Sequence, residues 1–215
     1  MMMTWSCADI ADAIETGLKR QCEQLDIEQA VYGLDALDEV AIHPSLAAAL
    51  RAAGYGVYRE QRYPADRTRR KASEGERCDF VLTRDGLPLL QPDAAGTLFD
   101  PPDAVELSDA FWLEVKVVAQ FTTDGPNRNY ASQLMSSVRH DVTKLSKDPH
   151  ILHAALLLIM FVRDERIANH DLRIWQDRCL ERGLPIGAPS QRFITMTDRH
   201  GNGLCAIAVY PVNHL

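Results

Sequence analysis

Asp109-Ala110-Phe111-Trp112-Leu113-Glu114-Val115-Lys116-Val117-Val118 is the stretch on which the fold turns. From Ala110 onward every residue is aliphatic or aromatic except Glu114 and Lys116, a composition that predicts a strand in a buried sheet. Side chains alternate along a strand, so Leu113, Val115 and Val117 share one face while Glu114 and Lys116 share the other. Opposed charges in the middle of an apolar strand are costly to bury unless they are paired or bind a metal. Upstream, Arg77-Cys78-Asp79-Phe80-Val81-Leu82 predicts a second short strand with an acid near its start. Placed side by side, the two strands bring Asp79 to Glu114, with Lys116 one step further along.

The surrounding chain reads as alternating helices and strands. A helix is predicted over 6–24, with Ile10, Ile14 and Leu18 at helical spacing and Ser6 as N-cap, and a second helical piece over 26–37. His43-Pro44-Ser45 opens a helix over 46–53 that ends at Gly54. A strand over 56–63 stops at Pro64. The connection 84–108 holds prolines at 88, 92, 101 and 102, with a short hairpin expected around 87–90. After the Glu114 strand come a polar turn over 122–129 and a helix over 130–145 striped by Leu134, Val138, Val142 and Leu145. The apolar run 154–162 reads as a central strand, 164–182 as a helix, and 192–197 with 203–209 as a hairpin.

Composition narrows the function classes. A chain of 215 residues, 46% hydrophobic and 25% charged, suits one globular domain. Its longest apolar run is too short for a bilayer, so no membrane partner is expected. Five cysteines without close pairs argue against disulfides and a zinc site, and with no signal pattern they predict a cytoplasmic protein. The net charge of −7 does not advertise nucleic-acid binding, yet Arg59, Arg62, Arg67, Arg69, Arg70, Lys71 and Arg77 gather in one segment. By itself such a segment is a solvated loop. Beside a phosphodiester-cleaving site it becomes a phosphate clamp.

The Asp79…Glu114-x-Lys116 arrangement, together with the order helix–strand–strand–strand–helix–strand over 44–162, resembles the PD-(D/E)XK nuclease superfamily. The resemblance implies an α/β protein with a restriction-endonuclease-like αβββαβ core and a mixed sheet flanked by helices. The chain then divides into an N-terminal helical addition (1–43), the core (44–163) and a C-terminal helix and hairpin (164–215). It also implies a Mg²⁺- or Mn²⁺-dependent nuclease acting on DNA. In that reading Asp79, Glu114 and the Val115 carbonyl hold the metal, and Lys116 assists the attacking water as a charged stabiliser rather than a simple base. The family often adds an acid from the first core helix, but the helix over 46–53 has none. Of the nearest acids before it, Glu39 and Glu28, the role falls to Glu39, with Glu60 on the first strand as its rival. Gln133 matches a polar position on the helix after the catalytic strand. Arg139 and Lys144 on that helix, with Arg62, Arg67, Arg69, Arg70 and Lys71, are the expected nucleic-acid contacts.

Two departures from the family pattern stand out: Cys78 replaces the usual proline, and the gap from Asp79 to Glu114 is long. An isolated Glu-x-Lys is itself a common surface pair. The alternatives are therefore a catalytically silent member of the same fold, acting as a binding or assembly module, and an unrelated α/β enzyme. His140-Asp141 reads as a solvated face, and His43 and the other histidines as ordinary. Trp5, Trp112 and Trp175 read as core residues and Cys78 as a small buried filler. Cutting both strands of a duplex from one site per chain would call for a homodimer.

Overall fold

The computed structural model describes the chain except residues 1–4, 69–74, 91–100, 102, 137, 214 and 215, and for 67, 68, 136, 138 and 139 it describes the backbone alone. It is an α/β protein built on a mixed six-stranded sheet. The strands are β1 (Gly56–Arg62), β2 (Arg77–Thr83), β3 (Phe111–Ala119), β6 (His153–Val162), β7 (Ser190–Thr195) and β8 (Leu204–Val212), in the order β1-β2-β3-β6-β8-β7. A separate two-residue hairpin, β4 (Phe121–Thr122) and β5 (Gly125–Pro126), follows β3. Among these six strands only β3 and β6 run parallel to each other as neighbours, with pairing unbroken from Phe111–His153 to Ala119–Phe161.

The two faces of the sheet bury separate cores. Helices α1 (Cys7–Ile27) and α2 (Glu39–Ala52) set Ile10, Ile14, Leu18, Ile42, Leu46 and Leu50 against Leu113, Val115, Ile159 and Ile207. Helices α3 (Tyr130–Ser136), α4 (Val138–Lys147) and α5 (Glu165–Glu181) set Leu134, Val142, Leu145, Leu172 and Trp175 against Trp112, Leu156, Leu158 and Tyr210. Strand β6 is buried from Ala154 to Val162, as its unbroken apolar run requires of a strand covered on both faces. The predicted alternation of β3 holds: Leu113 and Val115 enter the α1–α2 core, and Trp112 enters the other. Trp5 packs on Phe111 and Tyr55, and Cys78 is buried. Both ends of the chain feed these cores, through α1 on one side and through β7 and β8 in the sheet itself.

Caps set the helix starts. The side chains of Ser6, Asp38 and Asp164 accept from the backbone N–H of Asp9, Ala41 and Ile167. Helices α1 and α2 cross so closely at Gly17 that a Cβ there would lie 2.2 Å from the Cβ of Ala49. Among the described residues no helix is long and apolar enough to cross a membrane.

Four expectations are corrected. Helix α1 continues to Ile27, and in place of a second helix over 26–37 there is a turn and one 3₁₀ turn, Leu34–Ala36. Helix α2 begins at Glu39, capped by Asp38, so Pro44 lies inside it instead of opening it. The hairpin expected near 87–90 is a parallel bridge, Leu89 to Val105. The helix over 130–145 is divided into α3 and α4.

Candidate active site

The ladder between β2 and β3 ends at Phe80–Leu113, one rung before Asp79 and Glu114. On its other edge β2 pairs with β1 at Arg59–Phe80 and Gln61–Cys78 but not between Glu60 and Asp79. Cys78 and Phe80, two residues apart, lie in opposite cores, so the strand rotates at Asp79. Asp79 thereby fills the gap left by the missing rung. Its Oδ2 accepts from the Val115 N–H at 2.8 Å. The N–H and C=O of one strand residue point to the same edge, so the Val115 carbonyl opens toward this gap as well.

Glu114 is 4% exposed. Its Oε1 accepts from the Tyr63 hydroxyl and lies 3.2 Å from the Lys144 ammonium. Tyr63 is itself stacked on Trp112, with ring centroids 5.6 Å apart. Burial pushes the Glu114 carboxyl up to about 8, and the charge of Asp79 and a hydrogen bond shared with it add to the rise; Lys144 and Tyr63 oppose it.

Lys116 lies 2.9 Å from Glu39 on α2 and 3.7 Å from Asp141 on α4. The other oxygen of Asp141 is 3.2 Å from Lys144. Burial alone would lower both lysine pKa values. The carboxylates outweigh it, Glu39 foremost for Lys116 and Glu114 for Lys144, so both are raised and both side chains stay ammonium ions. A continuous ionic chain thus runs Glu39–Lys116–Asp141–Lys144–Glu114.

On the α2 side, His43 is 2% exposed and packs edge-on against Phe80. Its Nε2 is 3.9 Å from Asp79 Oδ1, and neither ring nitrogen has a hydrogen-bond partner. With Glu60, an exposed residue of β1, His43 and Asp79 form a group whose ligand atoms all lie within 4.8 Å of one another.

The structure brings Asp79, Glu114, Val115, Lys116 and Glu39 together. Lys144 joins them on Glu114, a place different from the phosphate contact expected of it. Gln133 is exposed on α3, where its Oε1 accepts from Asn127. Arg62 is half-buried, its Nη2 donating to the Asp66 carbonyl and its Nε buried. Arg69, Arg70 and Lys71, and the side chains of Arg67 and Arg139, lie outside the described residues.

Asp141, Tyr63 and His43 were not expected in the site. Of the pair read as a solvated face, His140 is exposed but Asp141 is buried. The i,i+3 spacing of Asp141 and Lys144 was the available signal for their pairing. Tyr63 carried only the signal of a strand-ending aromatic before Pro64.

The donor set fits a divalent cation. Carboxylate and carbonyl oxygens face one gap, and the neighbouring charge of Asp79 adds to the burial that raises the Glu114 carboxyl. No protein-family model, characterised protein or solved structure matches this chain.

Proposed function

We propose that this protein is a metal-dependent nuclease of the PD-(D/E)XK type, hydrolysing phosphodiester bonds in nucleic acid, with DNA the first substrate to test. The observation that carries the reading is the lost rung between β2 and β3, where Asp79, Glu114 and the Val115 carbonyl meet beside the Lys116 ammonium. The order α2-β1-β2-β3-α3/α4-β6, with β3 parallel to β6, supports the restriction-endonuclease-like assignment.

Asp79, Glu114 and the Val115 carbonyl hold Mg²⁺ or Mn²⁺ in this reading. The bound cation supplies a water of lowered pKa and neutralises charge on the scissile phosphate. Lys116 is kept charged by Glu39 and Asp141, so it stabilises the negative charge that develops on the phosphate oxygens and does not take the water's proton. Lys144 and Tyr63 favour the ionised form of Glu114 and fix its orientation. Asp79 is aimed by the Val115 N–H. A site of this kind cuts one strand, and cutting a duplex through both strands calls for two copies of the chain.

One feature favours the second reading, a catalytically silent module of the same fold. Lys116 and Lys144 already have carboxylate partners, which an inert ionic network would also show. Incubation of single- and double-stranded DNA and of RNA with Mg²⁺ or Mn²⁺ separates the two. Cleavage by the wild type that Asp79→Ala and Lys116→Ala both abolish is expected. A wild type inert on every substrate with both metals would leave the module.

A further inference from the structure

We propose a second cation seat on the α2 side of Asp79, in which His43 Nε2 and the carboxylates of Glu60 and Asp79 hold a divalent transition-metal ion. It deepens the metal-dependent reading of the same site by adding a seat that shares Asp79 with the first.

His43 supplies the first argument. A buried imidazole ordinarily has its nitrogens satisfied, and leaving them bare costs free energy. Both nitrogens of His43 are buried without a hydrogen-bond partner, and the Asp79 oxygen nearest to Nε2 stands 3.9 Å away. That is too long for a hydrogen bond. It suits two donors on one ion, since ligands each about 2.1 Å from a metal lie roughly 3–4 Å apart. With all three donor atoms within 4.8 Å of one another, small side-chain rotations close the set.

Glu60 supplies the second. Its φ of 54° is left-handed, which a glutamate adopts at a cost. The β1–β2 ladder skips the same position, and the result is a Glu60 carboxylate delivered to Asp79 and His43. The ammonium groups of Lys116 and Lys144 are taken up by Glu39, Asp141 and Glu114. Among the described residues, no lysine or arginine forms an ion pair with the carboxylate of Asp79 or Glu60, although the Arg77 Nη1 donates to the Glu60 backbone carbonyl. Two carboxylates and an imidazole therefore converge with no ion-pair partner on either carboxylate, and exposed Glu60 leaves a way in from solvent.

The donor set selects the ion. Mg²⁺ prefers an all-oxygen shell with several waters, whereas an imidazole nitrogen favours Mn²⁺ and the later first-row ions.

The test titrates Mn²⁺, and separately Mg²⁺, into the full chain without nucleic acid. Calorimetry reads affinity and pulsed electron paramagnetic resonance reads ¹⁴N coupling to bound Mn²⁺. The expected result is a ¹⁴N coupling that His43→Gln removes, Mn²⁺ affinity at least about tenfold weaker in Glu60→Gln, and Mg²⁺ binding at least about tenfold weaker than Mn²⁺. Glu60 is exposed, so its variant keeps the test independent of folding where the core substitution His43→Gln perturbs it. Mn²⁺ bound without ¹⁴N coupling and unaffected by Glu60→Gln overturns the seat. If that binding is lost in Glu114→Gln, the Asp79–Glu114 site stands without it. Absence of Mn²⁺ binding to the wild type also overturns the seat, and the cleavage assays then decide the nuclease reading on their own.

Discussion

The Lys144 ammonium lies 3.2 Å from Glu114 Oε1, and it opposes the burial that pushes this carboxyl up to about 8. An ammonium and a carboxylate in contact favour each other's charged forms by about one to three pK units. Lys144→Met should therefore raise the Glu114 pKa further. The acid limb of the cleavage pH profile is expected to move to higher pH by about that amount. Rates measured from pH 6 to 10 check it, and an unmoved limb would separate Lys144 from the control of Glu114.

Glu114 also makes stability depend on pH in a stated direction. Its folded pKa, about 8, lies above the ordinary value of 4.5, so between these two values the folded chain binds the extra proton. The stability this contributes is fully present below pH 4.5 and is lost as pH rises through 8. Glu114→Gln keeps a neutral group and should flatten this fall, leaving the variant more stable than wild type above pH 8 by an amount on the order of 1–4 kcal/mol. Urea unfolding at pH 5, 7 and 9 measures the difference. Equal slopes with pH in the two proteins would contradict it.

Asp79→Ala and Lys116→Ala should each lower cleavage by about 10²–10³-fold, the usual loss when a group that stabilises transition-state charge is removed. Lys116→Arg should not restore activity, because a planar guanidinium does not reproduce a compact ammonium set between Glu39 and Asp141. Single-turnover cleavage measures all three, and full activity in Lys116→Arg would show that charge alone suffices.

The α1–α2 crossing gives a test free of the chemistry. Gly17→Ala places a methyl group where only 2.2 Å separates it from Ala49 Cβ, so the helices must move apart. The expected cost is about 1–3 kcal/mol of stability, read as a lower urea midpoint. An unchanged midpoint would mean that the crossing yields freely.

The sheet was more legible than the site. Strands β3 and β6 announce themselves through long apolar runs, and the nearness of Asp79 to Glu114 follows once two neighbouring strands are placed side by side. Where α2 begins was hidden, because Pro44 reads as a first-turn residue while the capping Asp38 stands six residues earlier. That error kept Glu39 off the helix that carries it to Lys116. His43, Glu60 and Asp79 come from three different elements, and no spacing rule joins them; the link is the kink at Glu60, a backbone conformation without a signature in a residue that is not glycine. Asp141 was misjudged because adjacent helical residues point apart, which allows one to be solvated while its neighbour is buried.

The missing rung has an evolutionary consequence. Asp79 and Glu114 stand opposite each other without pairing, while nine pairs join β3 to β6 on the other edge of β3, Glu114–Leu156 among them. The backbone of Glu114 thus serves the sheet on the β6 edge while its side chain serves the polar cluster on the β2 side. A lineage built on this scaffold can exchange its polar set, gain or lose a function, and inherit the same sheet throughout.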